Sequence, residues 1–127
     1  QGMFDKAIYN NTYGTVTIPA QRDNKQIIFE VTPFRKESGY SDMRHPDKIE
    51  WADTVEEDLK RRDFTINAMA YDGVDIIDIS GGMEDLKNGI IRAVGEPGKR
   101  FQEDALRLMR AIRFAVQLGL TLEENTK

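Results

Sequence analysis

Two adjacent arginines followed closely by an aspartate and an asparagine are the residues of this sequence whose types and spacing best suit binding chemistry. Arg61 and Arg62 precede Asp63, and Asn67 follows four residues later. Arginine side chains offer fork-shaped donors that match phosphate oxygens. If the segment is helical, Asp63 and Asn67 share one face and could hydrogen-bond to sugar hydroxyls. The alternative is a solvated arginine pair, with Asp63 as a helix N-cap.

A second polar set lies along a predicted helix near the end of the chain. Its members are spaced as on one helix edge: Glu103, Arg107, Arg110, Arg113 and Gln117. Asp104 lies three residues before Arg107, about 60° around the helix from it. A carboxylate and a guanidinium so placed could read donors and acceptors on a nucleobase edge. The alternative is a solvated face on which Glu103 relieves the repulsion between the arginines.

Apolar residues on the same helix predict its buried face. They recur at helical intervals: Phe101, Ala105, Leu108, Met109, Ile112, Ala115 and Val116. Such an apolar stripe is typical of an amphipathic helix. The pattern predicts one continuous helix that starts at Phe101 and ends before Gly119.

Composition limits the class of protein. The 127 residues are 39% hydrophobic and 31% charged, as in one ordinary globular domain. The formal net charge of −4 excludes a uniformly basic surface, so a phosphate-bearing partner must meet a local basic patch. The lack of cysteine excludes disulfides and thiolate metal sites, and the single histidine excludes a histidine-rich zinc site. No apolar run is long enough to span a membrane, and a reducing cytoplasm is the expected location.

Strand-like alternation precedes the arginine segment. Residues 13–19 and 26–35 alternate with the strand period across a short polar turn, which predicts an antiparallel hairpin. Glu30 stands among apolar neighbours on the second strand, either as a solvent-facing residue or as a catalytic or metal-binding carboxylate. The stretch 36–51 is polar and rich in turn residues, which predicts a long, mobile connection.

Short elements are predicted on both sides of the arginine segment. Asp53 and Thr54 indicate the start of a helix that leads into it. The elements that follow are a strand pair over residues 68–71 and 75–79, a helical turn over 83–88 that Gly89 ends, and a short strand over 90–94.

The order of residues in the arginine segment is more specific than its residue types. Glu57-Asp58-Leu59 and, after Lys60, RRDFTINAMA closely resemble the signature of the class II nucleotidyltransferases, the bacterial tRNA CCA-adding enzymes and their poly(A) polymerase relatives. Three further stretches resemble this family in the family's own order. They are Phe34–Pro46, similar to its flexible loop; residues 77–95, similar to its middle motif; and Arg100–Ala115, similar to its nucleotide-recognition helix.

The resemblance implies an α+β fold and a set of nucleotide-binding residues. A nucleotidyltransferase head with a mixed β-sheet and helices would cover residues 1–95, and an all-helical neck would start over residues 96–127. Arg62 would contact the nucleotide phosphates, and Asp63 and Asn67 would help to bind the nucleotide, Asn67 by placing the sugar. Asp104 and Arg107 would pair with the Watson–Crick edge of CTP or ATP. The pocket would be completed by Arg110 and Arg113.

The activity that the resemblance implies is the transfer of CMP and AMP from CTP and ATP to the tRNA 3′ end, with release of pyrophosphate and without a nucleic-acid template. A-adding enzymes, CC-adding enzymes and poly(A) polymerases share these motifs and remain alternatives. A non-catalytic nucleotide-binding or interaction module is an alternative of another class.

One feature of the family is absent from these 127 residues. It is a glycine-rich motif that ends in an Asp-x-Asp pair, whose aspartates bind the Mg²⁺ ions of phosphoryl transfer. The resemblance therefore implies a chain truncated at both ends, inactive alone, with Mg²⁺ bound mainly by residues outside it and Glu30 as the one residue here beside the metals. Such a piece should expose Ile27, Phe29 and Val31, and pair with its missing N-terminal segment or a second copy.

Overall fold

Alternating apolar and β-branched residues form an antiparallel sheet near the start of the chain. The computed structural model describes residues 6–10 and 13–127. The strands are β1 (Ile8–Asn10), β2 (Thr15–Arg22) and β3 (Lys25–Val31), in the order β1-β2-β3. Asp23 and Asn24 form the β2–β3 turn with φ values of 51° and 59°, which Asp and Asn tolerate. The predicted hairpin is confirmed.

The apolar residues of β3 are largely open to solvent. Ile28, Phe29 and Val31 are exposed and Ile27 is half-buried. The predicted exposure is therefore confirmed for Phe29 and Val31, whereas association with a second copy stays a prediction. The described residues up to Phe34 form one compact unit, and residues 35–127 form another.

The stretch 36–51 contains most of one strand and all of another, so it is not a single long connection as the sequence predicted. Strand β4 (Arg35–Ser38) pairs antiparallel with β5 (Lys48–Trp51). The inward positions of β4 carry Arg35 and Glu37, which form an ion pair, so the usual apolar alternation is missing from the sequence. The mobility of the loop between the two strands stays a prediction.

The predicted helix start before the arginine segment is confirmed, but the segment itself is not helical. Thr54 caps α1 (Val55–Lys60) by accepting a hydrogen bond from the Glu57 N–H at 3.4 Å. Beyond Lys60 the chain pairs with residues 92–94: the Thr65 N–H donates to the Arg92 carbonyl, and the Val94 N–H donates to the Asp63 carbonyl, both at 2.9 Å. A single turn of 3-10 helix follows over Thr65–Asn67, without a side-chain cap from Asp63.

The elements predicted after the arginine segment are present. They are β6 (Met69–Tyr71), β7 (Ile76–Asp78), α2 (Gly82–Lys87) and β8 (Ile90–Ile91). Strands β6 and β7 are antiparallel, and β8 pairs in parallel with β9 (Thr121–Leu122), which a 3-10 turn follows over Glu124–Thr126. A Cβ at Gly82 would lie 2.2 Å from the Thr65 carbonyl oxygen, so α2 approaches the first 3-10 turn only because this residue is glycine.

The helix predicted from Phe101 is two helices. They are α3 (Pro97–Glu103) and α4 (Leu106–Leu118). Between them the backbone of Asp104 is extended, with φ −145° and ψ 106°. The Asp104 carboxylate accepts a hydrogen bond from the Leu106 N–H at 2.9 Å. Asp104 therefore ends α3, and its side chain stabilises the first turn of α4. No helix among the described residues is long and apolar enough to cross a membrane.

The predicted apolar stripe is confirmed only at Phe101 and Ala115, which are half-buried against the core, and is wrong for most of its α4 residues. The stripe residues Leu108, Met109, Ile112 and Val116 are exposed. The buried residues of the helix are Arg107 and Ala111. The Arg107 guanidinium has a carboxylate and a backbone carbonyl as partners, so its charge is tolerated in the interior. The face of α4 that carries Arg107 and Ala111 is therefore the buried one.

A small core joins the arginine segment to α4. Phe64, Ile91 and Ala111 are buried together. The rings of Phe64 and Phe114 meet edge to face, with centroids 5.8 Å apart and an interplanar angle of 89°, an arrangement worth about 0.5–1.5 kcal/mol beyond area burial. The predicted boundary after residue 95 stays a prediction, and this core includes residues from both sides of it.

Candidate nucleotide-binding site

Asp58 is a buried carboxylate that holds both arginines of the signature segment. One oxygen accepts from Nε and Nη2 of Arg61 at 3.0 and 2.8 Å. The other accepts from Nε and Nη2 of Arg62 at 3.2 and 2.9 Å. Burial alone raises the pKa of Asp58, but the hydrogen bonds from both arginines outweigh burial and hold that pKa below its usual range. Asp58 therefore stays charged and orients both guanidinium groups.

Glu37 of β4 is a second buried carboxylate in contact with these arginines. Its Oε1 accepts from Arg35 Nε at 2.7 Å and from Arg61 Nη1 at 3.0 Å. Its Oε2 accepts from the Tyr40 hydroxyl at 3.0 Å. Burial, followed by the nearby charge of Glu37, raises the pKa of Tyr40 to about 12. We call the following five residues the arginine–carboxylate network: Arg35, Glu37, Asp58, Arg61 and Arg62.

Arg62 is the member of this network that faces solvent. Its side chain is 42% exposed, compared with 18% for Arg61 and 17% for Arg35. Its Nη1 also lies 3.4 Å from the Asn67 carbonyl, to which it donates. A guanidinium fixed along one edge by a buried carboxylate can present its remaining N–H groups to an anion.

Asp63 links the signature segment to α4. Its Oδ2 accepts from Arg110 Nε at 2.6 Å, and its Oδ1 accepts from the Phe64 N–H at 2.9 Å. The Asn67 side-chain amide donates to the same Oδ1 at 3.4 Å. Asp63 and Asn67 are therefore in contact, although the geometry is that of a turn and not of the helix that the spacing suggested.

The arginines of α4 differ in exposure along the helix. The side chain of Arg107 is 8% exposed and that of Arg110 is 40% exposed, and Arg113 is an exposed residue. The guanidinium carbons of Arg110 and Arg113 each lie 5.1 Å from the ring centroid of Phe114, within the range of a cation–π contact. These two positive groups lie next to the core contact of Phe64 and Phe114.

Arg107 is directed into the protein. Its Nη1 donates to Glu103 Oε2 at 2.6 Å and to the Arg100 carbonyl at 3.0 Å, and its Nη2 donates to the Arg61 carbonyl at 3.4 Å. Arg100 Nη2 donates to the Lys60 carbonyl at 2.6 Å. Two arginines thus satisfy carbonyls at the end of α1. The side chains of Arg107 and Asp104 have different partners in this structure.

Glu30 is the remaining predicted site residue. It lies exposed on β3 opposite Thr17, in the first compact unit, whereas the other predicted site residues belong to the second. Within residues 6–10 and 13–127, no group of three His, Asp or Glu side chains is arranged to hold a metal ion. Asp58 and Glu37 are paired with arginines, so they do not offer the free carboxylate oxygens that Mg²⁺ binds.

Sequence reasoning missed two parts of this arrangement. The spacing of Asp58 from Arg61 and Arg62, three and four residues, is a signal of helical ion pairs that could have been used. The contact of Glu37 with Arg61 spans 24 residues and involves a strand that the composition hides, so the local pattern contains no sign of it.

Comparison with known proteins identifies the family. The Poly A polymerase head domain family matches residues 2–92. The CCA-adding enzyme of Lactobacillus helveticus (strain DPC 4571) is 55% identical over 116 residues, which cover 91% of this chain and 28% of that enzyme. The fold is similar to that of the Bacillus stearothermophilus CCA-adding enzyme in complex with CTP, with a TM-score of 0.80 and 42% identity over 99% of this chain and 29% of that one. A CCA-adding enzyme solved in complex with ATP has a TM-score of 0.65 and 31% identity, over 95% of this chain and 26% of that one.

The chain belongs to the class II nucleotidyltransferase family, as the arginine segment predicts. The predicted α+β fold is confirmed by the likeness to these structures. The chain spans less than a third of the length of the curated relatives that it matches.

Proposed function

We propose that this chain is the nucleotide-recognition part of a tRNA nucleotidyltransferase of the CCA-adding type. In the reaction, the tRNA 3′ hydroxyl oxygen bonds to the α-phosphorus of CTP or ATP, the bond from that phosphorus to the β-phosphate oxygen breaks, and pyrophosphate leaves. The observation that carries the proposal is the likeness, at 42% identity over 99% of this chain, to a CCA-adding enzyme in complex with CTP. The likeness to an enzyme in complex with ATP supports the second nucleotide.

Arg62 is the proposed phosphate-binding residue. Asp58 holds its Nε and Nη2, and its exposed side chain leaves donors for a triphosphate. Asp63 and Asn67 are proposed to take part in nucleotide binding beside it, Asn67 at the sugar. Arg110 is the proposed link between the two sides of the pocket, because it reaches Asp63 from α4.

Asp104 and Arg107 are proposed to select the base. A base edge offers the pair both acceptors and donors, which a carboxylate and a guanidinium complement. Arg107 is bonded to Glu103 in this structure, so base binding requires Arg107 to exchange Glu103 for the nucleotide. Arg113 is proposed to complete the pocket from its exposed position over Phe114.

Mg²⁺ is the proposed cofactor of the whole protein, and it would stabilise charge on the transferred phosphate. The described carboxylates around Arg62 do not fit this ion because arginines already occupy them. Its ligands are therefore proposed to be residues outside this sequence, and Glu30 stays a prediction as their neighbour. The division into head (1–95) and neck (96–127), and the cytoplasmic location, are likewise proposals.

The test is incorporation by the whole protein on tRNA that ends at the discriminator base. With each nucleotide supplied alone, we expect CMP addition from CTP and no AMP addition from ATP. On tRNA that already ends in two cytidines, we expect AMP addition from ATP. AMP addition solely to tRNA ending in two cytidines would indicate an A-adding enzyme, and CMP addition alone a CC-adding enzyme. Extended adenylation would indicate a poly(A) polymerase. Nucleotide binding without any incorporation would overturn the proposal in favour of a non-catalytic module.

A further inference from the structure

We propose that Glu37 is a positioning residue for Arg62 and acts through Arg61 and Asp58. The inference rests on the proposed function and deepens it, because it identifies what prepares the phosphate-binding arginine. Glu37 lies on another element, β4, and none of the sequence motifs above gives it a role. Its side chain is 7% exposed.

The contacts form a continuous series from Glu37 to Arg62. Glu37 Oε1 accepts from Nη1 of Arg61, and Asp58 Oδ1 accepts from Nε and Nη2 of the same guanidinium. A planar group held by carboxylates at both of its ends cannot rotate freely. Asp58 is then left with Oδ2 for Arg62, which it holds through two N–H groups.

The charges of the network explain why one carboxylate does not suffice. Three guanidinium groups face two buried carboxylates, so these five side chains carry one formal positive charge in excess. The most exposed member, Arg62, presents that charge to solvent. Without the charge of Glu37, Arg35 would lose its carboxylate partner, and Arg61 would be left with Asp58 alone, where it competes with Arg62.

Phosphate binding is the property that this series controls. Because CTP and ATP share the triphosphate, a misplaced Arg62 should weaken the binding of both nucleotides to the same extent. The base-selecting residues lie on a different element, so discrimination between nucleotides should be unchanged. A general loss of structure would lower the rate and the stability as well, and would not affect KM selectively.

The experiment compares Glu37→Gln with Glu50→Gln in the whole protein. Glutamine keeps the size of the side chain and removes the charge. Glu50 is the matched control, because it is an exposed acid on the adjacent strand β5 whose partner is Lys48. We expect Glu37→Gln to raise KM for CTP and for ATP alike by roughly three- to tenfold, with kcat within about twofold, and Glu50→Gln to leave both unchanged.

A double-mutant cycle with Arg62→Lys separates positioning from a general structural effect. If Glu37 acts through Arg62, Glu37→Gln adds little to KM once Arg62 is already lysine. If the two effects multiply, Glu37 acts independently of Arg62 and the inference is overturned.

Titration with inorganic triphosphate distinguishes this inference from the proposed function. Weaker binding by Glu37→Gln than by the wild type and Glu50→Gln supports the positioning role, even if the wild type incorporates no nucleotide. Equal binding by all three proteins overturns the role while leaving the proposed function intact. No binding of triphosphate by the wild type removes the premise that Arg62 serves phosphate, and overturns the inference as well.

Discussion

The arginines that follow α1 and those on α4 are paired in opposite ways. Arg61 and Arg62 share one buried carboxylate, Asp58, and the second arginine is left at the surface. On α4 the first arginine, Arg107, is the buried one, whereas Arg113 lies exposed over an aromatic ring. In both segments the arginine that can meet a ligand without a change of partners is the one that lies exposed: Arg62 after α1 and Arg113 on α4.

The buried and exposed arginines should also differ in how much they contribute to the free energy of unfolding. Removing one partner of a buried ion pair leaves an uncompensated charge and costs several kcal/mol, whereas exposed pairs contribute little. Mutations at Asp58 and Arg107 should therefore affect folding, and mutations at Arg62 should mainly affect binding.

The largest expected effect is that of Asp58→Ala. The change leaves Arg61 with Glu37 alone and frees Arg62. We expect the free energy of unfolding to fall by about 3–5 kcal/mol, measured by urea denaturation. Glu56→Ala in the same helix is the control, with an expected loss under about 1 kcal/mol. Equal losses in the two variants would show that Asp58 does not organise the segment.

The next effect separates the buried arginine of α4 from the exposed one. Arg107→Met removes donors to Glu103 and to the carbonyls of Arg100 and Arg61, so it should cost about 2–4 kcal/mol. Arg113→Met removes an exposed cation–π contact, so it should cost under about 1 kcal/mol. Thermal and urea unfolding of both variants measure the difference. Similar losses would contradict the contrast in burial.

A third substitution tests whether the residues at the start of α4 select the base while the arginine–carboxylate network binds the phosphates. Asp104→Ala should reduce discrimination of C and A over U and G by about 1–3 kcal/mol, the scale of one bidentate base contact. Competition between the four nucleotides in incorporation assays measures it. Glu96→Ala is the control, since Glu96 is an exposed acid paired with Lys99. Full selectivity in Asp104→Ala would remove Asp104 from the base site.

Elements stabilised by local patterns could be predicted from the sequence, and elements stabilised by distant ion pairs could not. The β2–β3 hairpin, the α1 start and the β6–β7 pair follow from local alternation, capping and turn residues, and all were predictable. The buried face of α4 was not, because its inward position carries Arg107, whose burial depends on Glu103 and on carbonyls 7 and 46 residues earlier in the chain. Likewise β4 looks like a loop, because its inward residues are charged.

The residues of the candidate site also include some that the sequence predicts and one that it does not. The motif predicts Arg62, Asp63 and Asn67, and the structure brings them together through contacts of 3.4 Å between residues four or five positions apart. Glu37 could not be found from its neighbours, because its partner Arg61 lies on a different element. Residues that act through distant ion pairs are those for which a single sequence contains no local pattern.

A smaller effect is expected for Arg62→Lys. Lysine keeps the charge but cannot hold Asp58 and a phosphate with a planar fork. We expect KM for CTP and for ATP to rise together by roughly five- to tenfold, measured by steady-state incorporation. Arg22→Lys, at an exposed position of β2, is the control. An effect confined to one nucleotide would assign Arg62 to the base instead.

The smallest effect concerns the hydroxyl that Tyr40 donates to Glu37. Burial, followed by the charge of Glu37, raises the pKa of Tyr40 to about 12, whereas an unfolded tyrosine has a value of about 10. Between these values the folded chain keeps a proton that the unfolded chain has lost. The free energy of unfolding therefore falls as the pH rises above about 10, and the contribution of Tyr40 is fully present below that pH.

Tyr40→Phe should remove this part of the alkaline dependence, since phenylalanine does not titrate. Urea denaturation between about pH 9 and 12 measures the slope for the wild type and the variant. Tyr71→Phe is the matched control, because Tyr71 is an exposed tyrosine that donates to the Gly73 carbonyl. If Tyr40→Phe and the wild type lose stability with the same slope, the fold does not raise the pKa of Tyr40, and the hydroxyl beside Glu37 does not contribute to the alkaline dependence.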